Sequence, residues 1–520
     1  MSGPVKLPDT WVFASISDVA DVNSRSFCPL PSAVAKSVHF VPMSAVTAEF
    51  GGIDVSSKRP LGEVQKGYTS FLADDVLFAK ITPCMENGKL AVVPPLQDHI
   101  AYGSTEFHVL HAKDQVQPNW LACFLSQSAF RRLARQNMTG SAGQLRVATT
   151  WLADALIPVA PAAEQTRIVT KLDELLSDLD AGVAELKAAQ KKLAQYRQSV
   201  LKAAVEGALT AEWRAKSKPT ETGAQLLERI LTERRARWEG KQIAKFREQG
   251  KTPPKDWQKK YPEPVQPDIT DLPELPEGWV WAGLGQLLAE LTSGSRDWAP
   301  YYGRGQSIFV MAQNVRPWRP DFSYKQYVDP PIDHRDRVRS EIQADDLLTT
   351  IVGANTGQVC RVAEAIVSHF VCQSVALMRL VMPAMSEFVN VVLNSEGHGQ
   401  RQFREMNYGA GRPHLSFDQL ESVLVPMPPM REQAQVVSVV ADALDMYEQV
   451  DAELERLFKQ STAQRQNILR AAFAGQLVPQ DPNDEPASVL LARIRAERLV
   501  RASSRNNKHS AAHAERKPKC

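Results

Sequence analysis

The chain has 520 residues, of which 43% are hydrophobic and 23% charged, and its net charge is +2. No apolar run approaches the roughly 20 residues of a membrane span, and the first residues carry no signal-peptide pattern. The six cysteines are scattered without a Cys-x-x-Cys pair, which argues against a zinc site and against a disulfide framework. These observations predict a cytoplasmic protein with several globular domains.

The charge is unevenly distributed. From residue 493 onward nine Lys or Arg stand against two Glu, so this end carries +7 and the preceding residues −5. A protein that binds nucleic acid alone usually has a basic body. If this chain binds DNA, we expect partner proteins to share the phosphate contacts, or basic residues to cluster on one face.

Residues 1–160 predict a first domain of mixed α/β structure. Short β-branched and aromatic runs, such as 38–41 and 75–79, are separated by Gly, Pro and Asn turns. Residues 119–136 have the apolar periodicity of a helix.

Residues 161–215 predict a long helix that forms a coiled-coil arm. Apolar residues recur at alternating steps of four and three, as in a coiled-coil seam. The seam comprises Leu172, Leu176, Leu179, Val183, Leu186, Leu193 and Val200. Glu164 suits the first turn and Gly207 the C-terminal end. A helix from 165 to 205 extends about 60 Å.

The second half repeats the first at an offset of 268 residues. Glu164-Gln165 returns as Glu432-Gln433, and Gly207 as Gly475. The matching seam includes Leu444, Leu454, Phe458 and Ile468. The remaining segments are a charged helical connector (216–272), a second mixed domain (273–428), a second long helix (429–478), a short C-terminal helix (479–502) and a basic disordered tail (503–520). A repeat of this size is a domain plus an arm.

The two seams are expected to pair with each other, because neither helix has an apolar stripe broad enough for a globular core. Packing of each helix on its own domain is the alternative. An antiparallel pair places Arg197 and Arg465 at opposite ends, where each can reach water. The predicted fold class is therefore α+β, with two pseudo-symmetric α/β domains separated by an antiparallel pair of long coiled-coil helices.

A search for catalytic motifs favours binding over catalysis. Residues 329–332 (Asp-Pro-Pro-Ile) approach the loop of adenine-N6 methyltransferases, but Ile332 cannot stack an extruded base as an aromatic ring does. A proline turn is the simpler interpretation. No phosphate-binding glycine loop is present. His108 and His111 are interpreted as surface histidines rather than metal ligands, since a third ligand is missing.

Several motifs together resemble the specificity subunit of type I restriction–modification systems. Leu-Pro-x-x-Trp opens each domain at 7–11 and 275–279, and Pro-x-x-Pro-x-x-Glu-Gln opens each arm. Residues 74–89 resemble one common family segment, and 345–357 resemble another. The resemblance runs from about residue 7 to 477.

The resemblance implies a non-catalytic DNA-recognition subunit of a bacterial or archaeal complex, with a target-recognition domain in each half. Its partners would be double-stranded DNA, two methyltransferase subunits and two restriction/translocase subunits. It implies no cofactor on this chain, with S-adenosylmethionine, ATP and Mg used by the partners. Two domains on a rigid helical pair could meet two DNA segments about one helical turn, ~34 Å, apart. Since the domains differ outside their framework, the bipartite target should be asymmetric.

Candidate DNA-contacting residues lie on turn-rich segments of both domains. In the first domain they are Lys80, Thr82, Asn87, Lys89, Ser141, Gln144 and Arg146; in the second they are Asn355, Thr356, Arg412 and His414. Arg and Lys suit guanine, and Asn and Gln suit adenine. A turn residue or a phosphate contact is the alternative for each of them.

Two other functions stay open from the sequence. One is a stand-alone DNA adenine methyltransferase built around the degenerate loop at 329–332, which would methylate DNA without partners. The other is a coiled-coil scaffold without DNA specificity, which would bind every DNA sequence equally.

Overall fold

The computed structural model describes residues 7–23, 37–50, 52–96, 100–141, 143–217, 219–270, 272–363, 369–407, 411 and 413–514, with side chains described as far as residue 500. The chain forms two compact units. Unit 1 comprises residues 1–187 and 455–520, and unit 2 comprises residues 188–454. Each unit thus contains one mixed domain and a part of both long helices.

The first half of the chain ends with a helix of 44 residues. Its elements are β1 (Val12–Ser15), α1 (Ile16–Val19), β2 (Ala20–Val22), β3 (Ser37–Val41), β4 (Lys58–Pro60), α2 (Leu61–Val64), β5 (Thr69–Phe71), β6 (Val76–Ala79), β7 (Leu90–Val92), β8 (Ala101–Gly103), β9 (Phe107–Ala112), α3 (Pro118–Ser126), α4 (Ser128–Gln136), β10 (Met138–Thr139), β11 (Arg146–Val147), α5 (Thr149–Asp154), β12 (Leu156–Val159) and α6 (Ala162–Val205). The helix predicted over 119–136 is two helices, because Gln127 is extended (φ −60°, ψ 135°).

The second half repeats this order after two intervening helices. Its elements are α7 (Ala211–Lys216), α8 (Gly223–Glu248), β13 (Val280–Gly283), α9 (Leu284–Leu287), β14 (Leu288–Ser293), β15 (Tyr302–Val310), β16 (Tyr327–Val328), α10 (Arg337–Ser340), β17 (Leu347–Thr350), β18 (Val359–Arg361), β19 (Phe370–Val371), β20 (Val375–Leu380), α11 (Ser386–Asn394), α12 (Gly399–Asn407), α13 (Phe417–Glu421), β21 (Leu424–Met427), α14 (Met430–Phe473) and α15 (Ala487–Ala514).

One sheet has the same strand order in both units, and a second sheet has four strands in unit 1 and three in unit 2. In unit 1 a four-stranded antiparallel sheet has the order β2-β9-β6-β7, and unit 2 has the equivalent order β14-β20-β17-β18. The parallel pair β3-β8 in unit 1 matches β15-β19 in unit 2. The predicted mixed fold class and the internal repeat are therefore confirmed.

The long helices α6 and α14 pack antiparallel within each unit. In unit 1 the first half of α6 and the last turns of α14 enter one core, through Leu172 and Leu469 among others. In unit 2 the partners are reversed, and Leu201 near the end of α6 shares a core with Val440 near the start of α14. Apolar burial of this kind contributes roughly 25 cal/mol per Å².

The predicted seam residues follow the buried stripe of both helices. Leu172, Leu176 and Leu454 are buried. The half-buried members are Leu179, Val183, Leu186, Leu193, Val200, Leu444, Phe458 and Ile468. The neighbouring positions between them are mostly exposed, as a narrow two-helix seam requires.

The two seam arginines have protein partners. The Arg465 guanidinium forms an ion pair with Asp180 in unit 1. In unit 2 the Arg197 guanidinium lies over the Tyr447 ring, 5.1 Å from its centroid. Each is half-buried rather than extended into water, so neither has the solvated position expected from the sequence.

The repeated framework motifs of unit 1 meet at one joint. Trp11 Nε1 donates to Glu164 Oε2 at 2.9 Å, and Gln480 also donates to this carboxylate. Gly475 has a φ of +69°, and a Cβ there would collide with Pro8. Burial is the main influence on Glu164 and raises the pKa of its carboxyl. The Leu-Pro-x-x-Trp and Glu-Gln motifs are therefore structural here.

The equivalent joint of unit 2 uses different partners around the same residues. Thr210 Oγ1 and Arg214 Nε donate to Glu432 Oε1 at 2.7 and 2.9 Å. The Arg214 guanidinium also lies 5.6 Å from the centroid of the Trp279 ring. Gly207 has a φ of +73°, and a Cβ there would lie 2.6 Å from Pro276.

A further helix follows each long helix, as predicted. The α8 N-terminus docks in unit 2, where Gly223 N–H donates to Gly278 O at 2.7 Å. The α15 N-terminus docks in unit 1, where Ala487 N–H donates to Thr10 O at 2.9 Å. Helix α15 continues to residue 514, past the predicted start of a disordered tail at 503, while residues 515–520 lie outside the described part. Within the described residues, no helix is long and apolar enough to cross a membrane.

Candidate nucleic-acid interface

Two polar loops meet on the surface of unit 1. The first follows β6, and the second connects β10 to β11. Thr82 N–H donates to Leu145 O at 3.0 Å, and Val147 N–H donates to Lys80 O at 2.9 Å. Both loops carry predicted DNA-contacting residues, so these backbone bonds bring the two sets together.

The predicted residues of this surface differ in exposure. Asn87, Ser141 and Gln144 are exposed, whereas Lys80, Thr82, Lys89 and Arg146 are half-buried. Lys89 Nζ donates to Met43 O at 2.8 Å, which ties its loop to the segment after β3. The exposed amides of Asn87 and Gln144 face solvent, and the half-buried Lys89 and Arg146 are held by hydrogen bonds.

Arg146 is held by a carboxylate. Its Nη2 and Nε atoms donate to Glu106 at 2.9 and 3.0 Å, and Nη1 donates to Gln144 O at 3.1 Å. The hydrogen bond from Arg146 is the main reason that the pKa of Glu106 lies below its ordinary value, against the opposing effect of burial. A guanidinium fixed in one plane suits bidentate recognition of a base or phosphate.

A buried arginine that the sequence analysis missed holds the first loop through hydrogen bonds. Arg131 on α4 donates to both carboxylate oxygens of Glu49, at 3.1 and 2.8 Å, and to Glu86 O at 2.8 Å. The nearby Arg135 also forms an ion pair with Glu86. No local motif marks Arg131, because its partners are 82 and 45 residues away in sequence.

The prediction that both histidines are surface residues is wrong for His108. Its side chain is buried, with Nδ1 2.9 Å from Asn23 Nδ2 and Nε2 2.8 Å from Val147 O. Burial lowers the pKa of His108. His111 is half-buried, and its Nδ1 atom lies 2.7 Å from Asp75 Oδ1. Within the described residues, no group of three acidic, His or Cys side chains could hold a metal ion.

Segments 74–89 and 345–357 each begin with two aspartates. The second aspartate of each segment has a structural role. Asp75 Oδ2 accepts from Leu72 N–H at 2.7 Å, and Asp346 Oδ2 accepts from Gln343 N–H at 2.6 Å. In unit 2 Arg379 donates to both Asp346 oxygens. Burial nevertheless raises the pKa of Asp346, an effect that the bonds from Arg379 oppose. These carboxylates stabilise turns inside the fold.

Unit 2 places its two candidate loops together in the same way. Val352 forms an antiparallel bridge with His414, as Ile81 does with Arg146 in unit 1. Thr356 Oγ1 donates to Gly353 O at 2.7 Å. Asn355 and Thr356 are half-buried and His414 is exposed; the predicted Arg412 lies outside the described residues. The equivalent loop position therefore carries Arg in unit 1 and His in unit 2.

Two further polar residues lie beside the unit 2 loops. Arg316 Nη1 donates to Gln358 Oε1 at 3.5 Å, and Gln358 directly follows the predicted loop. Gln358 could have been included among the candidates from the sequence, because it directly follows Gly357 at the end of the predicted segment. Arg316 carried no such signal, since 42 residues separate it from its partner.

The loop that suggested a methyltransferase does not form a base-binding pocket. Ile332 is 86% exposed, and Arg337 Nη1 donates to Pro330 O at 2.6 Å. The segment is an external turn held by a neighbouring helix.

Comparison with known proteins identifies the relatives of this architecture. The type I restriction enzyme EcoEI specificity subunit of Escherichia coli is 24% identical over 500 residues, which are 87% of this chain and 80% of the relative. The EcoAI specificity subunit of Escherichia coli is 26% identical over 492 residues, covering 84% of this chain and 77% of the relative. The chain is a homologue of type I restriction enzyme specificity subunits. No protein-family model matches it.

A solved structure shares this fold. A chain from a study of complex assembly and conformational transition in the type I R-M system has a TM-score of 0.64 and 19% identity, with 91% of this chain and 100% of that chain covered. At this identity the likeness concerns the fold.

Proposed function

We propose that this specificity subunit homologue is the DNA-recognition component of a type I restriction–modification complex. The observation that carries the proposal is the similarity to specificity subunits along most of the chain. The juxtaposed polar loops of each unit would form the reading surface, since base edges are read by polar side chains.

The two units would read different half-sites. Arg146 in unit 1 and His414 in unit 2 occupy equivalent bridge positions, but their hydrogen-bonding capacity differs. Asn87 matches Asn355 at the repeat offset, but Lys80 and Lys89 have no lysine counterpart among the unit 2 candidates. The proposed target is therefore bipartite and asymmetric.

The partners and cofactors follow from the same proposal. Two methyltransferase subunits would use S-adenosylmethionine, and two restriction/translocase subunits would use ATP and Mg. This chain would position them on DNA in the cytoplasm of a bacterium or archaeon and would carry out no reaction itself. The length of the long helices would set the spacer between the half-sites.

Genome-wide methylation mapping tests the proposal. Cells with the complete complex should methylate adenines in one bipartite motif, and cells that lack only this chain should lose all of that methylation. Retention of the motif without this chain would refute the proposal. Methylation by the purified chain with S-adenosylmethionine alone would establish the methyltransferase alternative, and equal affinity for all DNA sequences in the complete complex would establish the scaffold alternative.

A further inference from the structure

A strongly basic projection lies outside the polar loops of unit 2. It is formed by residues 238–261, here called the basic tab, which comprise the end of α8 and the segment that returns beside it. Between residues 241 and 260 there are seven Lys or Arg and two acidic residues, a net charge of +5. Together with the +7 of residues 493–520, this leaves −10 on the rest of the chain. Positive charge is thus concentrated on segments that follow the long helices.

The tab has a defined structure rather than being a loose charged run. The Trp238 and Trp257 rings stack at 5.8 Å, and Tyr261 packs edge-on against Trp238 at 5.4 Å. Phe246 meets Trp257 edge-on at 6.2 Å. These contacts fasten the returning segment to α8, so the charges are held on a scaffold.

The base of the tab is fixed to unit 2. Leu226 and Ile230 of α8 are buried in the unit 2 core. Arg234 donates to Leu288 O at 3.0 Å and to Tyr261 Oη at 2.6 Å. The tab is therefore connected to the recognition domain through buried contacts.

The cations of the tab face solvent. Lys241, Lys245, Arg247, Lys251, Lys255, Lys259 and Lys260 are all exposed. Lys259 pairs with Asp256 at 2.9 Å. The other six form no ion pair within the described part of the chain. Unneutralised positive charges this close together repel each other, and a polyanion would relieve that repulsion.

We propose that the basic tab contacts the phosphate backbone of duplex DNA, independently of base sequence. This inference rests on the proposed DNA-recognition function. Lysine is depleted at the cores of protein–protein interfaces, where aromatic rings are enriched; here the rings are turned inward and the lysines outward. Lysine-rich surfaces are typical of phosphate contacts.

A basic helix also follows the second long helix, in unit 1. Helix α15 docks there through its first turns and carries Arg493, Arg495 and Arg498, of which Arg493 pairs with Glu485 and Arg495 pairs with Asp18. The two helices differ in sequence, but each has a net positive charge, +3 for α8 and +5 for α15. A purely solubilising role would not require a basic helix at equivalent places in both halves.

The test is the salt dependence of DNA affinity, measured with the full chain in complex with its methyltransferase partners. The triple variant K241Q/K245Q/R247Q keeps good helix formers. Each lost phosphate contact lowers the slope of log K against log salt by about 0.9, so loss of three contacts lowers it by about 2.7. Affinity for target and non-target duplexes should fall by the same factor at low salt, with the methylated motif unchanged.

Two more variants complete the design. K187Q/K191Q/K192Q removes three exposed charges from α6 and should leave the slope unchanged. K251Q/K255Q/K260Q removes three charges from the returning segment. It should lower the slope by a similar amount without altering the helix. Circular dichroism checks that each variant is folded.

The inference is overturned if the tab variants keep the wild-type slope, or if the α6 variant lowers the slope as much as the tab variants do. It is also overturned if the tab variants instead lose association with the methyltransferase subunits. A wild-type complex that shows no sequence preference would defeat the proposed function. A wild-type preference with unchanged slopes in the tab variants would defeat the basic tab alone.

Discussion

Arg131 links the stability of unit 1 to the conformation of its first polar loop. Three of its hydrogen bonds hold Glu49 and Glu86, although its Nε atom has no partner within the described structure. Replacement by Ala should cost about 2 kcal/mol of unfolding free energy, since solvent around the exposed Glu49 screens part of the ion pair. The loop should loosen, with weaker recognition of one half-site.

The matched control for Arg131→Ala is Arg132→Ala, on the exposed side of the same helix. Urea unfolding measures stability, and binding to duplexes mutated in either half-site measures recognition. Equal effects of the two substitutions, or loss of recognition at both half-sites from Arg131→Ala, would contradict this role.

His108 predicts a dependence of stability on pH. Because burial lowers its pKa in the folded state, the unfolded state binds the proton more readily. Stability is therefore retained above the ordinary pKa of 6.5 and falls as the pH drops below it. His108→Gln should flatten the change in urea midpoint between about pH 7.5 and 5.5, and an unchanged pH profile would exclude this residue as its source.

At the residue scale, the sequence predicted the residues of the repeated framework better than it predicted individual side-chain contacts. The motifs shared by both halves, such as Trp11 and Glu164, meet at the joints and could be found by self-comparison alone. Arg131 and His108 could not be assigned, because their environment depends on strands and loops far away in sequence. Lys80 and Arg146 are each predicted to contact DNA, and the hydrogen bonds between their loops place them together; whether they contact bases stays a prediction.

At the scale of elements, the ends of the long helices depend on glycine. Gly475 has a positive φ and no room for a Cβ against Pro8, so Gly475→Ala should destabilise the protein by more than about 1 kcal/mol. Gly182 lies inside α6 with open space around it. Gly182→Ala should therefore stabilise by up to about 1 kcal/mol. Opposite shifts of the thermal midpoint are expected, and shifts of the same sign would refute the argument.

The long helices also carry a prediction about the spacer. Insertion of one heptad into both α6 and α14 preserves the seam period. The preferred spacer between half-sites should lengthen, while both half-sites stay the same. Methylation mapping of cells with the inserted chain measures both quantities. A changed half-site with the original spacer would contradict this division of labour.

Element boundaries show why the sequence could predict the arms so closely. The alternation of four and three residues extends through about ten positions, and the glycines at 207 and 475 mark where it stops. Short strands gave weaker signals. The division of 119–136 into α3 and α4 could not be predicted, because Gln127 is not a helix-breaking residue such as Gly or Pro. Local sequence does not encode the packing that turns the chain there.

At the scale of the whole molecule, duplication explains how one chain can specify an asymmetric target. Each unit keeps one four-stranded sheet of the same order and a joint around the same motif residues, while the loop residues differ. A shared framework preserves the position of the reading loops, and variation of the loops changes what is read. The excess of positive charge lies in the basic tab and in residues 493–520, which separates sequence-independent affinity from specificity.

Exchange of one recognition domain tests this account most directly. Residues 1–160 are replaced by the corresponding domain of another specificity subunit, and adenine methylation is mapped genome-wide in cells that contain the matching methyltransferase. We predict that one half-site changes to that of the donor, while the other half-site and the spacer stay the same. A change in both half-sites, or in neither, would contradict independent recognition by the two units.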